Sequence, residues 1–353
     1  MSDAKVLFVG AGAIGASVAA WVAENYPSVW VMARGETGAA LRKDGITTYR
    51  FAAPERTRRT VRVVTVDRPG ACDGADIVVL AVKNYSLEAA AVQVREQLGD
   101  RPIIVSMANG ADNQRILPKF FTKVIYCVVG YNARRDAPGL IGYERKGPPL
   151  IGTLDNSLQD EVMLAQSIFG RGCPTQVVDR LQDAVHSKIV FNLTNALDAL
   201  VGRGWRPLSN FATYQRLLSQ TLWEGVRIIR AAGYREYRIP GMPSFALLRL
   251  SALLPGWLMR PIFRRKLRAM AMSSMTQDVA LRGAEDTELE SINGYVLRLA
   301  AEHGTSAPCN QAIYRLGREK FHPGFTPMRA EDVMAAVAHE MNRRLFRTGT
   351  LTE

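Results

Sequence analysis

Near its N-terminus the chain reads Lys5-Val-Leu-Phe-Val-Gly-Ala-Gly-Ala-Ile-Gly15, and this stretch decides the fold of the first half. The apolar run from Val6 to Val9 is typical of a buried parallel strand. The uncharged residues from Ala16 to Ala23 predict a helix directly after the turn. We favour this strand–turn–helix unit over a signal peptide or membrane span, because the stretch has spaced glycines and no basic segment before it.

Three glycines occupy this turn at the G-x-G-x-x-G spacing. The first permits the tight turn, the second lets the backbone approach a pyrophosphate, and the third lets the helix pack closely on the strand. The free N–H groups of the helix N-terminus favour the same anion. The motif therefore predicts a dinucleotide cofactor bound by Gly10, Gly12, Ala13, Ile14 and Gly15.

Strand and helix patterns alternate as far as about residue 178, which is typical of a doubly wound parallel sheet. Beyond it, helical periodicities dominate. We therefore predict the α/β class, with a Rossmann domain in residues 1–178 and an all-α domain in residues 179–353. The predicted strands include 29–33, 77–82, 103–107 and 124–129, and the predicted helices include 87–98, 181–200, 214–232, 260–281, 288–302 and 331–346.

The composition of the 353-residue chain is that of an ordinary globular protein, with 47% hydrophobic and 22% charged residues. Its four cysteines are far apart, and its four histidines form no H-x-x-x-H pair. We therefore expect a cytoplasmic protein with reduced cysteines and no bound metal.

The net charge of +12 raises the question of an anionic partner. No nucleic-acid-binding motif accompanies the basic residues, so we expect an anionic cofactor and substrate but no nucleic acid. The segment 245–268 is both apolar and rich in arginine. It could lie on a membrane or cover the active-site mouth. We favour a helix with an apolar core face and arginines in solvent, and hence no membrane.

Polar residues follow several predicted strands at the edge of the sheet where ligands bind. Lys83 follows the strand 77–82, and Asn109 follows the strand 103–107. Arg34 ends the second strand, where an arginine suits the 2′-phosphate of NADP because its planar fork pairs with phosphate. Glu36 would suit the ribose of NAD instead. The pattern favours NADPH over NADH.

In the second half, Lys188, Asn192 and Asn195 are spaced i, i+4 and i+7 on an otherwise apolar helix. Polar groups are costly to bury without partners, so this stripe is expected to face a cleft. A second polar group includes Ser274 and Glu288, the latter close to a predicted helix start.

Together these residues resemble the ketopantoate reductases, which use NADPH to reduce a 2-oxo acid. The motifs that carry the resemblance, in chain order, are the glycine turn, Arg34, Ala81-Val-Lys83, Asn109-Gly110, Lys188-x-x-x-Asn192, Ser274-Met-x-Gln-Asp278, Thr287-Glu288, Ile292-Asn-Gly294 and Pro308-x-Asn310.

The resemblance implies roles for individual residues in a cleft between the two domains. Lys188 would be the general acid, and Glu288 would hold the substrate hydroxyl and orient the lysine. The remaining residues would bind substrate or cofactor: Asn109, Asn192 and Asn195 position the 2-oxo acid, Ser274 bonds its carboxylate, and Lys83, with Asn109, contacts the cofactor.

Two features depart from the family pattern, and both lie on the substrate side. Ala196 occupies the place of the family's second asparagine, with Asn195 one position earlier, and the spacing from Ser274 to Glu288 is two residues longer than usual. The alternatives are therefore a related reductase of another 2-oxo acid, ketone or imine, or a non-catalytic NADP(H)-binding regulatory protein. The sequence also leaves open whether the protein is a homodimer.

Overall fold

The chain divides into two units, residues 1–185 and 186–353. The structure, a computed structural model, describes residues 4–269, 272–281, 283 and 286–348. The domain boundary at residue 178 stays a prediction. The strands are β1 (Val6–Val9), β2 (Val29–Met32), β3 (Ile46–Arg50), β4 (Arg59–Val61), β5 (Val64–Val66), β6 (Ile77–Leu80), β7 (Ile103–Ser106), β8 (Val124–Val129), β9 (Ala133–Ala137), β10 (Leu140–Tyr143), β11 (Pro149–Gly152) and β12 (Gln176–Val177).

Helices connect these strands and make up the second unit. Those before residue 180 are α1 (Ala13–Ala23), α2 (Gly35–Asp44), α3 (Pro54–Thr57), α4 (Leu87–Leu98), α5 (Asn113–Ile116) and α6 (Gln159–Phe169). Those after it are α7 (Leu181–Asn192), α8 (Thr194–Val201), α9 (Phe211–Ala231), α10 (Phe245–Leu253), α11 (Gly256–Ala269), α12 (Ser274–Thr276), α13 (Tyr295–Glu302), α14 (Pro308–Lys320) and α15 (Ala330–Thr348), with π-helical segments at Gln277–Leu281 and Glu290–Gly294.

The glycine turn lies inside an eight-stranded sheet with the order β12-β11-β8-β7-β6-β1-β2-β5. Strand β1 pairs in parallel with β2 and with β6, so Val9 lies opposite both Met32 and Leu80. The pairing is parallel throughout except between β11 and β8. Chain order reverses between β1 and β6, the point at which doubly wound sheets bind ligands. The predicted fold class is confirmed.

A second sheet, with the order β4-β3-β10-β9, was not predicted from the sequence. It packs on α1, where the fully buried Trp21 ring lies 4.9 Å from Tyr143 and 5.3 Å from Tyr131, measured between ring centroids. Full burial of a large apolar side chain stabilises a fold by roughly 2–3 kcal/mol. The strands escaped prediction because they are short and polar, as in Arg59–Val61 and Ala133–Ala137.

The second unit is helical, as predicted, and the helices α8, α10, α11, α13, α14 and α15 pack against α9. The first turn of α9 is capped by Asn210, whose Oδ1 accepts from the N–H groups of Ala212 and Thr213 at 3.0 and 3.1 Å. Within the part of the chain that the structure describes, no helix combines the length and the apolarity needed to cross a membrane.

Two helices that were expected to be continuous are interrupted. The predicted helix 181–200 is divided into α7 and α8 at Leu193. The predicted helix 260–281 ends at Ala269 and begins again at Ser274; residues 270 and 271 lie outside the described residues. The Oγ of Ser273 accepts the N–H of Thr276 at 3.2 Å, and such a cap starts a new helix.

Candidate active site

The glycine turn has the geometry of a dinucleotide-binding loop. Gly10 has a φ of +111°, and a Cβ there would lie 2.8 Å from the Ala81 carbonyl oxygen. A Cβ on Gly15 would lie only 2.1 Å from the Gly10 carbonyl oxygen. By contrast, a Cβ on Gly12 would meet no atom within 4 Å. Gly10 and Gly15 therefore serve the packing of the turn, and Gly12 faces open space.

The N-terminus of α1 is arranged to accept an anion. Its N-cap is Gly12, so no side chain caps the first turn. The N–H groups of Ala13, Ile14 and Gly15 precede the first α-helical hydrogen bond, which runs from Ala16 to the Gly12 carbonyl at 2.9 Å. A pyrophosphate fits this cradle because open space and free donors coincide there.

Arg34 lies where the ribose of a dinucleotide is expected, at the carboxyl end of β2. It is exposed and is the N-cap residue of α2. Its Nε donates to the carbonyl of Asp67 at 2.9 Å, and this bond holds the guanidinium at the end of β2. Glu36 is exposed in the first turn of the same helix. Both the phosphate-binding and the ribose-binding candidates are thus present.

The structure brings together the loops that carry Lys83 and Asn109. The Nδ2 of Asn84 donates to the main-chain carbonyl of Asn109 at 2.7 Å. On the other side of that loop, the buried Asn113 donates to the Ala108 carbonyl at 3.2 Å. Sequence reasoning missed both asparagines, although each amide lies within four residues of a candidate residue. Lys83 and Asn109 are half-buried.

In the second unit, Asn192 is the clearest substrate-binding candidate. It lies one turn after Lys188 on α7, and these two side chains therefore share a helix face. Only 7% of Asn192 is exposed, and its Nδ2 has no hydrogen-bond partner in the described structure. An unpaired buried amide costs roughly 1–3 kcal/mol, so this group is suited to an acceptor oxygen of a ligand. Lys188 is half-buried.

The regular stripe ends one residue later, at Leu193. The carbonyl of Leu193 accepts a hydrogen bond from the Nδ2 of the buried Asn293 at 3.3 Å. Asn195 lies beyond this interruption and is half-buried, and its carbonyl accepts from the Ser273 Oγ at 3.5 Å. Ala196 is fully buried. Leu193 therefore separates α7, which carries Lys188 and Asn192, from α8, which carries Asn195, although its own N–H still bonds the Ile189 carbonyl at 3.0 Å.

The helix of Lys188 is also fixed by residues that sequence reasoning missed. The Nε2 of the buried His186 lies 2.7 Å from the hydroxyl of Tyr295, and its ring stacks on Tyr234 with centroids 3.4 Å apart. The neighbouring Ser187 Oγ accepts the N–H of Tyr237 at 2.9 Å. The sequence contains no signal for either residue, since a single histidine or serine in an apolar helix has no diagnostic spacing.

Glu288 is 4% exposed and lies at the entry to the π-helical segment Glu290–Gly294, where its carbonyl accepts the Ile292 N–H at 3.1 Å. π-helical turns are rare and recur at functional sites. Ser274 is half-buried at the start of α12. Of the loop 282–286 between them, residues 282, 284 and 285 lie outside the described residues.

One motif position serves packing. The Nδ2 of Asn310 donates to Glu224 at 2.9 Å, and Glu224 also accepts the N–H groups of Cys309 and Asn310 at the start of α14. Burial raises the pKa of Glu224, partly offset by these hydrogen bonds. In the described residues, no group of three or more His, Cys, Asp or Glu side chains is placed to hold a metal ion.

The candidate residues thus form two groups, a nucleotide-binding group in the first unit and a group around Lys188 in the second. Comparison with known proteins bears on both. The chain is 27% identical to the 2-dehydropantoate 2-reductase of Halobacterium salinarum over 319 residues, which cover 89% of this chain and 98% of that protein.

Solved structures share the fold. A PanE/ApbA family ketopantoate reductase from Ralstonia eutropha has a TM-score of 0.72 at 24% identity, covering 89% of this chain and 97% of that one. A ternary structure of D-mandelate dehydrogenase with NADH and anilino(oxo)acetate has a TM-score of 0.73 at 16% identity, with the same coverage. At these identities the likeness shows the fold alone.

Family models match both units. The model described as "Ketopantoate reductase PanE/ApbA" matches residues 6–156, and the one described as "Ketopantoate reductase PanE/ApbA C terminal" matches residues 180–321. Most of the chain is covered, and the two matches follow in the family's order. The chain therefore belongs to the ketopantoate reductase family of oxidoreductases.

Proposed function

We propose that the protein uses NADPH to reduce ketopantoate, a branched 2-oxo acid, to the 2-hydroxy acid pantoate. The observation that carries this proposal is the unpaired, buried Nδ2 of Asn192, one helical turn from Lys188. A carbonyl or carboxylate oxygen of a 2-oxo acid would satisfy that amide beside a proton donor. Family membership and the name of the Halobacterium relative support the same substrate.

On the cofactor side, Gly12, Ala13 and Ile14 would hold the pyrophosphate at the N-terminus of α1. Arg34 would pair with the 2′-phosphate, and Lys83 would contact the cofactor near its nicotinamide end. Bound NADPH would supply the hydride for the substrate carbonyl carbon. The residues of the chain bind and orient both molecules and move the proton.

Lys188 would donate the proton from its Nζ to the substrate carbonyl oxygen, and its positive charge would stabilise the oxyanion that develops there. The buried carboxylate of Glu288 would accept a hydrogen bond from the substrate hydroxyl and would orient Lys188. Ser274 would bond the substrate carboxylate. Asn192 would fix the 2-oxo group by donating from Nδ2, with Asn109 and Asn195 positioning the same acid.

The test is NADPH oxidation with purified protein and ketopantoate. We expect Lys188→Ala to lower kcat by about 10²–10⁴-fold, the usual value of a positioned general acid, with an unchanged Kd for NADPH. Lys123→Ala is the matched control, because Lys123 is a surface lysine paired with Glu161. Turnover that survives Lys188→Ala would remove the lysine from the mechanism.

Asn192→Ala tests substrate binding separately from protonation of the substrate carbonyl oxygen. Because Asn192 donates to the substrate but transfers no proton, we expect KM for ketopantoate to rise about 10-fold or more, with a smaller fall in kcat. Asn25→Ala, at an exposed asparagine in the first unit, is the control for amide loss. An unchanged KM would contradict a substrate contact.

A second candidate is reduction of a different 2-oxo acid. The fully buried Ala196, in place of the family's second asparagine, removes one polar group from the substrate side. The fold likeness to D-mandelate dehydrogenase, a protein seen with NADH and an aromatic oxo acid derivative, motivates the choice of substrates. Parallel assays with an aromatic 2-oxo acid, and with NADH, decide between them. Cofactor binding without turnover of any 2-oxo acid would favour the non-catalytic alternative.

A further inference from the structure

The turn between α10 and α11 exposes an apolar surface. Leu253 and Trp257, on either side of the turn, are both 66% exposed, the largest fraction among the large apolar side chains that the structure describes. Three further residues extend this surface along the two helices. We name it the α10–α11 surface, and it consists of Leu250, Leu253, Trp257, Leu258 and Ile262.

The opposite face of the same helices is anchored on α9. Phe245, Leu248 and Met259 are buried, and the Nε2 of Gln215 in α9 donates to the Gly256 carbonyl at 2.8 Å. The helices are therefore held in place while their outer apolar face remains in solvent. The sequence pattern predicts an apolar core face for this segment, and only some of its apolar side chains are buried in such a face.

The segment that carries this surface is basic. Residues 237–277 include seven lysines and arginines and no aspartate or glutamate. Five side chains on one face of α11 line a groove of about 500 Å³. They follow one another at the helical spacing i, i+3, i+4, i+7 and i+8. The Nε of Arg260 is buried there without a hydrogen-bond partner, and Arg264 is held over the Phe211 ring at 5.4 Å. The lining residues are Trp257, Arg260, Pro261, Arg264 and Arg265.

We propose that the α10–α11 surface docks on an anionic phospholipid bilayer. Leu253 and Trp257 would enter the boundary between headgroups and acyl chains, where tryptophan is favoured, and the groove arginines would bind headgroup phosphates. This docking is peripheral and requires no membrane-spanning helix. It is independent of the proposed reaction and extends the function beyond it.

Charge and shape favour the bilayer over other occupants. A two-fold contact with a second copy would place the same arginines opposite one another, because such an interface uses one patch twice. A nucleic acid would use the positive charge but would leave the five large apolar side chains without a partner. A bilayer with anionic lipids satisfies both features in a single plane.

The experiment is sedimentation of the full chain with phosphatidylcholine vesicles, with and without phosphatidylglycerol. We expect binding to the anionic vesicles that weakens with added salt, and little binding to neutral ones. Leu253→Ser combined with Trp257→Ser should abolish binding. Arg265→Gln combined with Lys266→Gln should weaken it about five-fold for each charge removed.

Met163→Ser is the matched control, since Met163 is 53% exposed on α6 in the first unit and should leave vesicle binding unchanged. All these variants should keep the NADPH-oxidation rate of the parent, which separates this proposal from the proposed reaction. Absence of binding to anionic vesicles, or equal binding after the charge changes, would overturn it. Self-association that the Leu253→Ser and Trp257→Ser changes abolish, without vesicle binding, would identify a second copy as the occupant instead.

Discussion

The side-chain amide of Asn293 donates a hydrogen bond to the main-chain carbonyl of Leu193 at 3.3 Å. Leu193 lies between α7, which carries Lys188, and α8, and Asn293 lies in the π-helical segment that follows Glu288. The bond therefore ties the backbone beside the proposed acid to the backbone beside the proposed carboxylate. Gly225 of α9 makes room for the Leu193 side chain, since a Cβ there would lie 2.5 Å from the Leu193 Cδ1.

We predict that Asn293→Ala lowers the free energy of unfolding by about 1–3 kcal/mol, because it leaves a buried carbonyl without its donor. It should also lower kcat for ketopantoate while the Kd for NADPH stays constant, because the residues that we propose bind the cofactor lie in the first unit. Urea unfolding and steady-state kinetics measure the two effects. The control is Asn25→Ala, which removes an exposed bond of the same kind to the Arg171 carbonyl. Equal small losses for both variants would refute the special role of Asn293.

Two alanine substitutions in the glycine turn should have opposite effects, one on NADPH binding and the other on thermal stability. Gly12→Ala places a Cβ in open space at a φ of −75°, so the fold should keep its Tm while the methyl group displaces the pyrophosphate. Gly15→Ala places a Cβ 2.1 Å from the Gly10 carbonyl oxygen, so the turn must shift and Tm should fall. Thermal unfolding and NADPH titration test both. If Gly12→Ala still bound NADPH as tightly as the parent, the pyrophosphate assignment would be wrong.

Arg34→Gln tests the choice between NADPH and NADH. The bond from its Nε to the Asp67 carbonyl holds the guanidinium at the end of β2, and loss of a charge-assisted phosphate contact would cost roughly 1.5–3 kcal/mol. We therefore expect the KM for NADPH to rise about 10–100-fold, with little change for NADH. Lys43→Gln, at the far end of α2, is the control for lost positive charge. A parent enzyme that uses NADH as well as NADPH would contradict the role of Arg34.

We predict that the free energy of unfolding falls at alkaline pH, in part because the buried thiol of Cys173 resists deprotonation. Burial raises the pKa of its thiol to about 11, whereas an unfolded thiol titrates near 8.5–9. Between about pH 9 and pH 11 the unfolded chain loses a proton that the folded chain keeps, so the free energy of unfolding decreases as pH rises. For two pKa units this amounts to about 2–3 kcal/mol at most.

Cys173→Ala removes this titration. We expect the variant to be less stable than the parent at neutral pH but to show a shallower loss of stability between about pH 9 and pH 11 in urea unfolding. Ser167→Ala, an exposed and non-titrating change on α6, should leave the slope unchanged. Parallel stability curves for parent and Cys173→Ala would exclude the buried thiol as a source of the slope.

Strong local patterns predicted the first unit well. The runs at Val6–Val9 and Ile77–Leu80 are continuous and apolar because their strands are buried on both faces, and α4 occupies the predicted residues 87–98. The second sheet was missed because its strands gain their stability from packing on Trp21, not from an apolar pattern of their own. The division between α7 and α8 at Leu193 has no local signal in the sequence, and the amide of Asn293 that bonds the Leu193 carbonyl comes from 100 residues further along the chain.

The candidate residues also differ in whether a local sequence pattern or a contact with a distant residue identifies them. Lys83, Asn109 and Lys188 are predicted as candidates because a strand end or a helix spacing selects them. Asn84 and His186 were not found, since each acts through a partner that is close only in the folded chain, the Asn109 carbonyl and the Tyr295 hydroxyl.

The fold class, the strand–turn–helix unit of the glycine motif and the family can all be recognised in the amino-acid sequence, because they depend on residues that are neighbours along the chain or recur at fixed intervals. Three features are visible only in the folded chain: Asn192 Nδ2 is buried and unpaired, Asn310 serves packing, and Leu253 and Trp257 remain in solvent. Burial and pairing depend on atoms brought together from distant positions, and a local pattern does not specify which face of a helix the rest of the chain covers.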